Sequence, residues 1–387
     1  MSGLRIALVR QKYNAAGGAE RFVSRAIQAL AADGAQITLL TRKWEVIDGM
    51  QAVELDPFYL GNVWRDAGFA RAVCRAQQGL HFDLVQSHER LACCDVYRAG
   101  DGVHREWLAQ RRRVLSPLGR LALLANPYHH YMQRAEARMF ASPRLQTVIC
   151  NSRMVKTEIQ GHFGLPEQKF AIIYNGIDTE AFHPRLREQH RQPMRARLGL
   201  QQEQPVFLYV GSGFERKGVA QALQALAKTP GAQLVIVGHD KKATRYRQLA
   251  HSLGVAQRAH FVGAQKDVKA YYGMADALLL PTLYDPFPNV VVEAMGCGLP
   301  VITSSKCGAA ELIEDGRQGF VRDALDIAGL AQAMQLLCNQ SRAEEMGAMA
   351  RQLAEPLRLD RMAAELNALY RRLLKLPPET GSPPVGS

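Results

Sequence analysis

Short apolar segments alternate with helical patterns along the whole chain, and this alternation limits the folds that the chain can adopt. Segments this short and this rich in Val, Ile and Leu predict strands that are buried on both faces of a sheet. Strands that alternate with helices predict parallel sheets with helices on both sides, an α/β architecture. The segments are residues 5–9, 37–41, 83–87 and 147–150 in the first half, and residues 206–212, 234–238, 260–263, 277–281 and 300–304 in the second.

The alternation stops and restarts once, which predicts two domains. Residues 184–205 are polar and poorly patterned, so we expect the boundary there. The sequence predicts two doubly wound, Rossmann-like domains facing a cleft, residues 1–184 and residues 185–356. A helix over about 357–376 is expected to pack back on the first domain. Residues 377–387 are rich in Pro, Gly and Ser and are expected to form a flexible tail.

Positive charge is concentrated in one segment. The formal net charge is +12, and eight Arg against two Glu between Arg105 and Arg144 supply half of it. Such a concentration indicates an anionic partner: a membrane surface, a nucleic acid or an acidic glycolipid. No helix-turn-helix, zinc or RNA-recognition pattern accompanies the charge, so we expect no nucleic-acid partner.

Other patterns bear on compartment and cofactors. The chain shows no signal peptide and no run that approaches the ~18 apolar residues of a membrane-spanning helix. Its seven cysteines include no Cys-x-x-Cys pair, which argues against a disulfide framework or a zinc site and fits a reducing compartment. The histidines form no metal-binding motif. We therefore expect a cytoplasmic protein with no metal and no other cofactor.

The loops that follow the predicted strands carry the candidate site, because open parallel sheets bind ligands beyond the carboxyl ends of their strands. One loop runs from Gly211 to Gly218 and places Arg216 and Lys217 just before a helix. Two cations beside the positive end of a helix dipole suit a diphosphate, although the loop is not a Walker loop. The alternative is a capped helix with two solvated cations.

A second candidate contains two carboxylates: Asp285 lies in a loop before a helix that is predicted to begin near Asn289, and Glu293 lies about one turn into that helix. Free amides at that helix start could bind oxygens of a sugar or a phosphate, and the carboxylates could accept hydrogen bonds from hydroxyls. The alternative is simply a pair of acidic residues near a helix N-terminus, where they are favourable by about 0.3–1 kcal/mol.

Two further loops are weaker candidates. Gly17 and Gly18 follow the first strand, where a Gly-Gly turn is often only a tight connection. Asp101 and His104 lie among small residues on the other side of the expected cleft, where such a pair contacts a substrate or only holds a turn.

Taken together, these loops resemble the family 4 retaining glycosyltransferases, which have the GT-B fold. The resemblance covers most of the chain. Residues 210–219 and 95–101 also look like a lipopolysaccharide core glucosyltransferase subfamily, which adds glucose to an inner-core heptose. The motifs are Gly17-Gly-Ala-Glu20, Asn175-Gly-Ile-Asp178 followed by Phe182-His-Pro184, Gly211-Ser-Gly with Arg216-Lys-Gly218, and Asp285-x7-Glu293 followed by Ala-Met-Gly-Cys-Gly-Leu-Pro-Val.

The resemblance implies a role for each motif residue. Arg216 and Lys217 would bind the donor diphosphate, Glu293 the ribose and Asp285 the donor sugar. The catalytic groups would be Asp285, Arg216, Lys217 and Asp101, and the acceptor would meet Asp101, His104 and Glu20. The nucleotide-sugar site would comprise Gly17, Gly18, Gly211, Arg216, Lys217, Gly263, Val268, Asp285, Phe287, Pro288, Asn289, Val290 and Glu293.

The resemblance also implies a mechanism. Fixed cations would stabilise the leaving diphosphate in place of a divalent metal, and configuration would be retained with the leaving phosphate assisting acceptor deprotonation. The sequence departs from the family at two positions. Asp285 replaces the usual first Glu of the motif, and Pro288 lacks an amide that Gly would offer there. Both departures lie at positions that would hold the donor sugar.

The basic segment suggests where the acceptor lies. Arg111, Arg112 and Arg113 are followed by Leu and Tyr residues, a combination that suits an anionic lipid surface. We therefore expect a lipid-linked saccharide acceptor and a peripheral position on the cytoplasmic face of the inner membrane. The alternatives are an internal helix pair with solvated Arg, a transferase for another lipid-linked or capsular glycan, and a nucleotide-sugar epimerase.

Overall fold

The computed structural model describes residues 3–11, 34–43 and 51–377, so all of the predicted tail except Pro377 lies outside the described residues. The first domain holds a sheet of seven parallel strands in the order β3-β2-β1-β4-β5-β6-β7. In chain order these are β1 (Arg5–Val9), β2 (Gln36–Thr41), β3 (Gln51–Glu54), β4 (Leu84–Ser87), β5 (Val96–Arg98), β6 (Thr147–Cys150) and β7 (Phe170–Ile172).

The second domain holds a sheet of six parallel strands. Their order is β10-β9-β8-β11-β12-β13. In chain order they are β8 (Val206–Val210), β9 (Gln233–Val237), β10 (Ala259–Gly263), β11 (Ala277–Leu280), β12 (Val301–Ser304) and β13 (Gly319–Arg322). The strand order turns back once in each sheet, between β1 and β4 and between β8 and β11. This confirms the predicted α/β fold with two doubly wound sheets.

Helices cover both faces of the sheets. The described helices of the first domain are α1 (Gly61–Leu80), α2 (His104–Arg112), α3 (Pro117–Ala125), α4 (Pro127–Phe140) and α5 (Arg153–Phe163). Those after them are α6 (Arg185–Arg197), α7 (Val219–Ala227), α8 (Ala243–Ser252), α9 (Lys269–Met274), α10 (Asn289–Gly296), α11 (Ile327–Leu337), α12 (Gln340–Ala354) and α13 (Leu359–Leu373).

Helix α6 occupies the stretch that the sequence presents as poorly patterned. The helix is polar, and only Leu186, Met194 and Arg195 are buried. The Arg195 guanidinium is fully buried and lies 2.7 Å from the Asp276 carboxylate, and it also donates to the carbonyl of Met274 at 2.9 Å. A buried charge pair holds this helix in place, and hydrophobic periodicity does not reveal such a pair.

The last helix, α13, returns to the first domain. Its buried side chains Met362, Leu366, Leu369 and Tyr370 share a core with Ile6, Leu8, Leu39 and Leu84 of the first sheet. The alternate residues of β1, Ala7 and Val9, face the core on the other side of the same sheet. Strand β1 is therefore buried on both faces.

Two cysteines correct the expectation of no disulfide. Cys74 on α1 and Cys93 form a disulfide, with their Cα atoms 5.8 Å apart. The two residues are 19 positions apart and form no recognisable motif, so only the packing of α1 beside the segment before β5 brings them together. No helix in the described part of the chain is both long enough and apolar enough to cross a membrane.

The packing of α13 predicts a stability effect. Leu366 is 1% exposed, so Leu366→Ala is expected to lower the free energy of unfolding of the first domain by about 2–5 kcal/mol. Urea denaturation followed by Trp fluorescence measures this, because Trp44, Trp64 and Trp107 all precede residue 184. Leu353→Ala, at a position 36% exposed, is the control and should change the value by about 0.5 kcal/mol or less. Equal effects of the two changes would contradict the docking of α13.

Candidate functional site

A cavity of about 460 Å³ lies where the carboxyl ends of the two sheets face each other. Arg10, His88 and Asn151 line it, and each directly follows a strand of the first sheet. Val210 lines it from the end of β8 in the second sheet. The cavity therefore touches the point in each sheet where the strand order turns back, which is where ligands bind in folds of this kind.

Ten of the predicted site residues line this cavity. They are separated by up to 192 positions in sequence, so the fold rather than local sequence brings them together. They are Asp101, Arg216, Lys217, Val268, Asp285, Phe287, Pro288, Asn289, Val290 and Glu293.

The other predicted residues have different positions. Gly17, Gly18 and Glu20 lie outside the described residues. Gly263 and His104 do not line the cavity; the imidazole of His104 lies 3.0 Å from that of His129, and burial lowers the pKa of His104 to about 3. Gly211 also lies behind the wall, where a Cβ atom would come within 2.5 Å of the Lys217 Cδ atom. Glycine at 211 thus leaves room for the Lys217 side chain.

Two cations converge on one carboxylate in the cavity wall. The Asp285 carboxylate lies 3.0 Å from the Arg216 guanidinium and 3.2 Å from the Lys217 ammonium. Burial acts to raise the pKa of Asp285, but Lys217 and Arg216 outweigh it and the pKa lies below its ordinary value of 3.8. Asp285 is therefore ionised at neutral pH and fixes both cations at the cavity.

Helix α10 begins at the cavity. Pro288, Asn289 and Val290 line the wall where the helix starts, and its first turn contains no acidic residue. The positive end of the helix dipole therefore faces the cavity, an arrangement that favours anions. One turn further on, the buried carboxylate of Glu293 accepts a 2.9 Å hydrogen bond from the Tyr272 hydroxyl, which orients it.

The wall contributed by the first domain contains residues that the sequence reasoning missed. They are Arg10, His88, Arg98, Asn151 and Asn175. Arg98 and Asn175 fall within segments that carry the family resemblance but were given no role there, and the other three belong to no motif. Burial, with Arg10 and Arg98 nearby, holds the pKa of His88 well below its ordinary value of 6.5, so the imidazole is neutral at pH 7. Taking the residue directly after each strand would have identified Arg10, His88 and Asn151.

Opposite the cations, Asp101 is the predicted acceptor residue that lines the cavity. Its side chain is 58% exposed, and its carboxylate lies 4.0 Å from the Arg90 guanidinium. Asp101 is therefore open to a ligand entering from solvent.

The loop before α10 is anchored to the first domain. The Tyr284 hydroxyl accepts a hydrogen bond from the Val103 amide at 2.8 Å and donates one to Glu158 at 2.7 Å. Lys306 reaches across the same interface, 2.9 Å from both Glu106 and Glu158. These contacts are part-buried or buried, and Tyr284 immediately precedes Asp285.

Three further contacts continue this anchoring along the loop. The Ser152 hydroxyl donates to the Pro286 carbonyl at 2.9 Å, and the rings of Phe287 and Tyr174 lie 5.5 Å apart. The side-chain amide of Asn175 makes two hydrogen bonds of 2.6 Å each. Its oxygen accepts from the Arg98 guanidinium, and its nitrogen donates to the side-chain oxygen of Asn289. Contact between the two domains therefore helps to fix the wall that carries Asp285.

The predicted membrane arginines lie at different places. The Arg111 guanidinium is 2.7 Å from Glu215, and that of Arg113 makes two hydrogen bonds to Asp323 at 2.9 and 3.0 Å. Both carboxylates belong to the second domain. Arg112 is exposed. Two of the three cations thus bridge the domains, because α2 ends at the edge of the cleft.

The family models match both domains. Residues 16–181 match the model described as Glycosyltransferase Family 4, and residues 190–353 match the model described as Glycosyl transferases group 1. The lipopolysaccharide glucosyltransferase WaaG of Escherichia coli (strain K12) is 29% identical over 324 residues, which are 82% of this chain and 84% of that protein. These matches confirm the family resemblance that the loop motifs predicted.

Solved structures share the fold. The crystal structure of WaaG, a glycosyltransferase involved in lipopolysaccharide biosynthesis, gives a TM-score of 0.80 at 25% identity, covering 95% of this chain and 99% of that one. The crystal structure of Anabaena HepE in complex with UDP-glucose gives a TM-score of 0.72 at 19% identity, covering 95% of this chain and 100% of that one. The GT-B fold predicted from the sequence is confirmed.

The anchoring of Tyr284 can be tested by removing its hydroxyl. Tyr284→Phe leaves the buried Glu158 carboxylate and the Val103 amide without this partner, so we expect a loss of about 1–3 kcal/mol in the free energy of unfolding. The matched control is Tyr209→Phe, because the buried Tyr209 hydroxyl has no hydrogen-bond partner among the described residues. That change should be neutral or stabilising. Urea denaturation compares the two, and equal losses would contradict the proposed anchor.

Proposed function

The chain belongs to the family 4 glycosyltransferases of the GT-B fold, and on that premise we propose that it transfers glucose from a UDP-sugar to a lipid-linked saccharide. The acceptor we propose is the inner-core heptose of lipopolysaccharide, with retention of configuration at the transferred carbon. One observation carries the proposal: Arg216 and Lys217 are held on Asp285 in a cavity lined by both domains.

The wall from the second domain has the chemistry that a nucleotide sugar requires. Arg216 and Lys217 would bind the diphosphate of the donor next to the start of α10. The carboxylate of Glu293, already oriented by Tyr272, would accept hydrogen bonds from ribose hydroxyls. Val268 also lines this wall, and it would contact the base of the nucleotide.

The two cations would also drive the bond cleavage. Breaking the bond between the sugar and the phosphate leaves positive charge on the ring and negative charge on the departing diphosphate. Arg216 and Lys217 would stabilise that negative charge, and Asp285, once the diphosphate has replaced it as their partner, would hold hydroxyls of the donor sugar. An oxygen of the leaving phosphate would accept the proton of the acceptor hydroxyl. The positions of the cations are set before reaction, which makes such stabilisation effective.

The wall from the first domain would receive the acceptor. Asp101 is exposed to the cavity, and Arg10 and Arg98 add cationic groups suited to a saccharide that carries anionic substituents. The similarity to the lipopolysaccharide glucosyltransferase WaaG supports a core saccharide as the acceptor. Because such an acceptor is embedded in a bilayer, the enzyme would work at the anionic cytoplasmic face of the inner membrane.

The donor can be identified by thermal unfolding in the presence of UDP, GDP, ADP and their sugar conjugates. A ligand at about 100 times its Kd should stabilise the protein by ~2.7 kcal/mol. We expect UDP and UDP-glucose to raise the Tm and the other nucleotides to leave it unchanged. Stabilisation by a GDP- or ADP-sugar would instead support a transferase for another lipid-linked or capsular glycan. Stabilisation by none of them would contradict the assigned donor site.

The role of the cations can be tested with Lys217→Ala. Loss of one fixed charge at the leaving group is expected to lower kcat by about 10²-fold or more, measured as UDP release in the presence of acceptor. Lys241→Ala is the control, because Lys241 is exposed and does not line the cavity. Its kcat should match that of the unsubstituted protein. A Lys217→Ala variant with unchanged kcat would rule out the assigned leaving-group site.

A further inference from the structure

Exposed large hydrophobic side chains are concentrated on one part of the first domain. Of those among the described residues, all but Leu353 belong to two segments. One segment precedes α1 and includes its first turn, with Phe58, Tyr59, Leu60 and Trp64 exposed by 74%, 44%, 68% and 46%. The other runs up to and through α3, with Val114, Leu118, Leu121 and Leu124 exposed by 37%, 80%, 65% and 48%.

The two segments lie at the same end of a helix pair. The Tyr128 hydroxyl, in the first turn of α4, donates to the Asp66 carboxylate, in the second turn of α1, at 3.0 Å. One turn further along, Phe69 of α1 and Met132 of α4 line a common small cavity. Helices α1 and α4 therefore start side by side. The segments that lead into them, residues 58–64 and α3, emerge on the same side of the domain.

The segment before α1 is held in position. The buried Arg42 guanidinium donates to the Asp56 carboxylate, to the Pro57 carbonyl at 3.2 Å and to the Arg65 carbonyl at 3.1 Å. It also lies 4.3 Å from the centre of the Tyr59 ring. Backbone on both sides of Phe58 and Leu60 is therefore tied to the domain while these two side chains project into solvent.

Cations border the exposed apolar side chains. Arg112 is exposed before α3 and Arg120 is exposed within it. The Arg120 guanidinium donates to the carbonyls of Arg112 and Leu115, at 3.0 and 3.2 Å. The two acidic residues between Arg105 and Arg144 are engaged elsewhere: Glu106 pairs with Lys306 and Glu136 with Arg90. Aromatic and leucine side chains flanked by uncompensated arginines match the interface of an anionic bilayer, where aromatic rings sit at the headgroup level.

We propose that residues 58–64 are a second membrane-contacting element, which together with α3 forms one docking face for an anionic lipid bilayer. This inference rests on the proposed function, since it specifies how the enzyme meets a lipid-linked acceptor. The apolar side chains supply the insertion, and Arg112 and Arg120 contact lipid phosphates. The arginines at 111 and 113 are instead oriented toward Glu215 and Asp323 of the second domain.

The insertion of Trp64 can be observed directly. A variant with Trp44→Phe and Trp107→Phe has Trp64 as its one tryptophan, and it is mixed with vesicles of phosphatidylcholine containing phosphatidylglycerol. We expect a blue shift of its emission and quenching when the lipid chains are brominated. The matched control keeps Trp107 alone and should bind without quenching. Vesicle binding without quenching of Trp64 would overturn the proposal.

The energetic role of the segment is tested by Phe58→Ser with Leu60→Ser. Each exposed side chain should contribute about tenfold to the vesicle partition coefficient, so the double variant should bind about 100-fold more weakly. UDP release with a lipid-free core saccharide should be unchanged, which separates this test from that of the proposed function. Unchanged vesicle binding would overturn the proposal. A second result would also overturn it. In that case the protein would not bind vesicles, and sedimentation would show a dimer that the double change dissociates.

Discussion

The assembled site depends on one buried hydroxyl group, that of Tyr284. It joins the Val103 amide and the Glu158 carboxylate of the first domain to the residue next to Asp285. A Cβ atom at Gly102 would lie 2.2 Å from this hydroxyl, and Gly102 has a φ of +66°, so only glycine allows the approach. Asp285 in turn sets the positions of Arg216 and Lys217. The geometry of the leaving-group site is thereby tied to contact between the domains.

The relative strength of the contacts between the domains decides which of them maintain this arrangement. The pair formed by Arg113 and Asp323 is exposed, with side chains 39% and 42% accessible, and such pairs contribute about 0–1 kcal/mol and are screened by salt. The hydroxyl of Tyr284 is buried, and leaving its partners unsatisfied costs about 1–3 kcal/mol. The buried contacts next to the site therefore hold the donor wall, and the arginines at the rim add little.

The sequence predicted the second domain's half of the site better than the first domain's half, for a physical reason. Arg216, Lys217 and Glu293 belong to loops whose composition is itself unusual, with paired cations or carboxylates beside a helix start. Arg10 and His88 are single residues after strands, and they become neighbours only because β1 and β4 pair in the sheet. Strand order is a property of the whole fold, and it cannot be predicted from any short stretch of sequence. The pair of Arg195 and Asp276 was missed for the same reason. This pair holds the polar helix α6 in place, and its two residues are far apart in sequence.

The basic segment shows how one stretch of chain can serve two surfaces. Net charge alone pointed to an anionic partner for all three arginines at 111–113. The structure divides them, because a helix that ends at the cleft turns Arg111 and Arg113 toward carboxylates more than 100 positions away. Arg111 and Arg113 already face carboxylates of the second domain, so attraction to a bilayer would fall mainly to Arg112 and Arg120. Apolar side chains that project from the same end of the domain would then have to supply the larger part of the attachment.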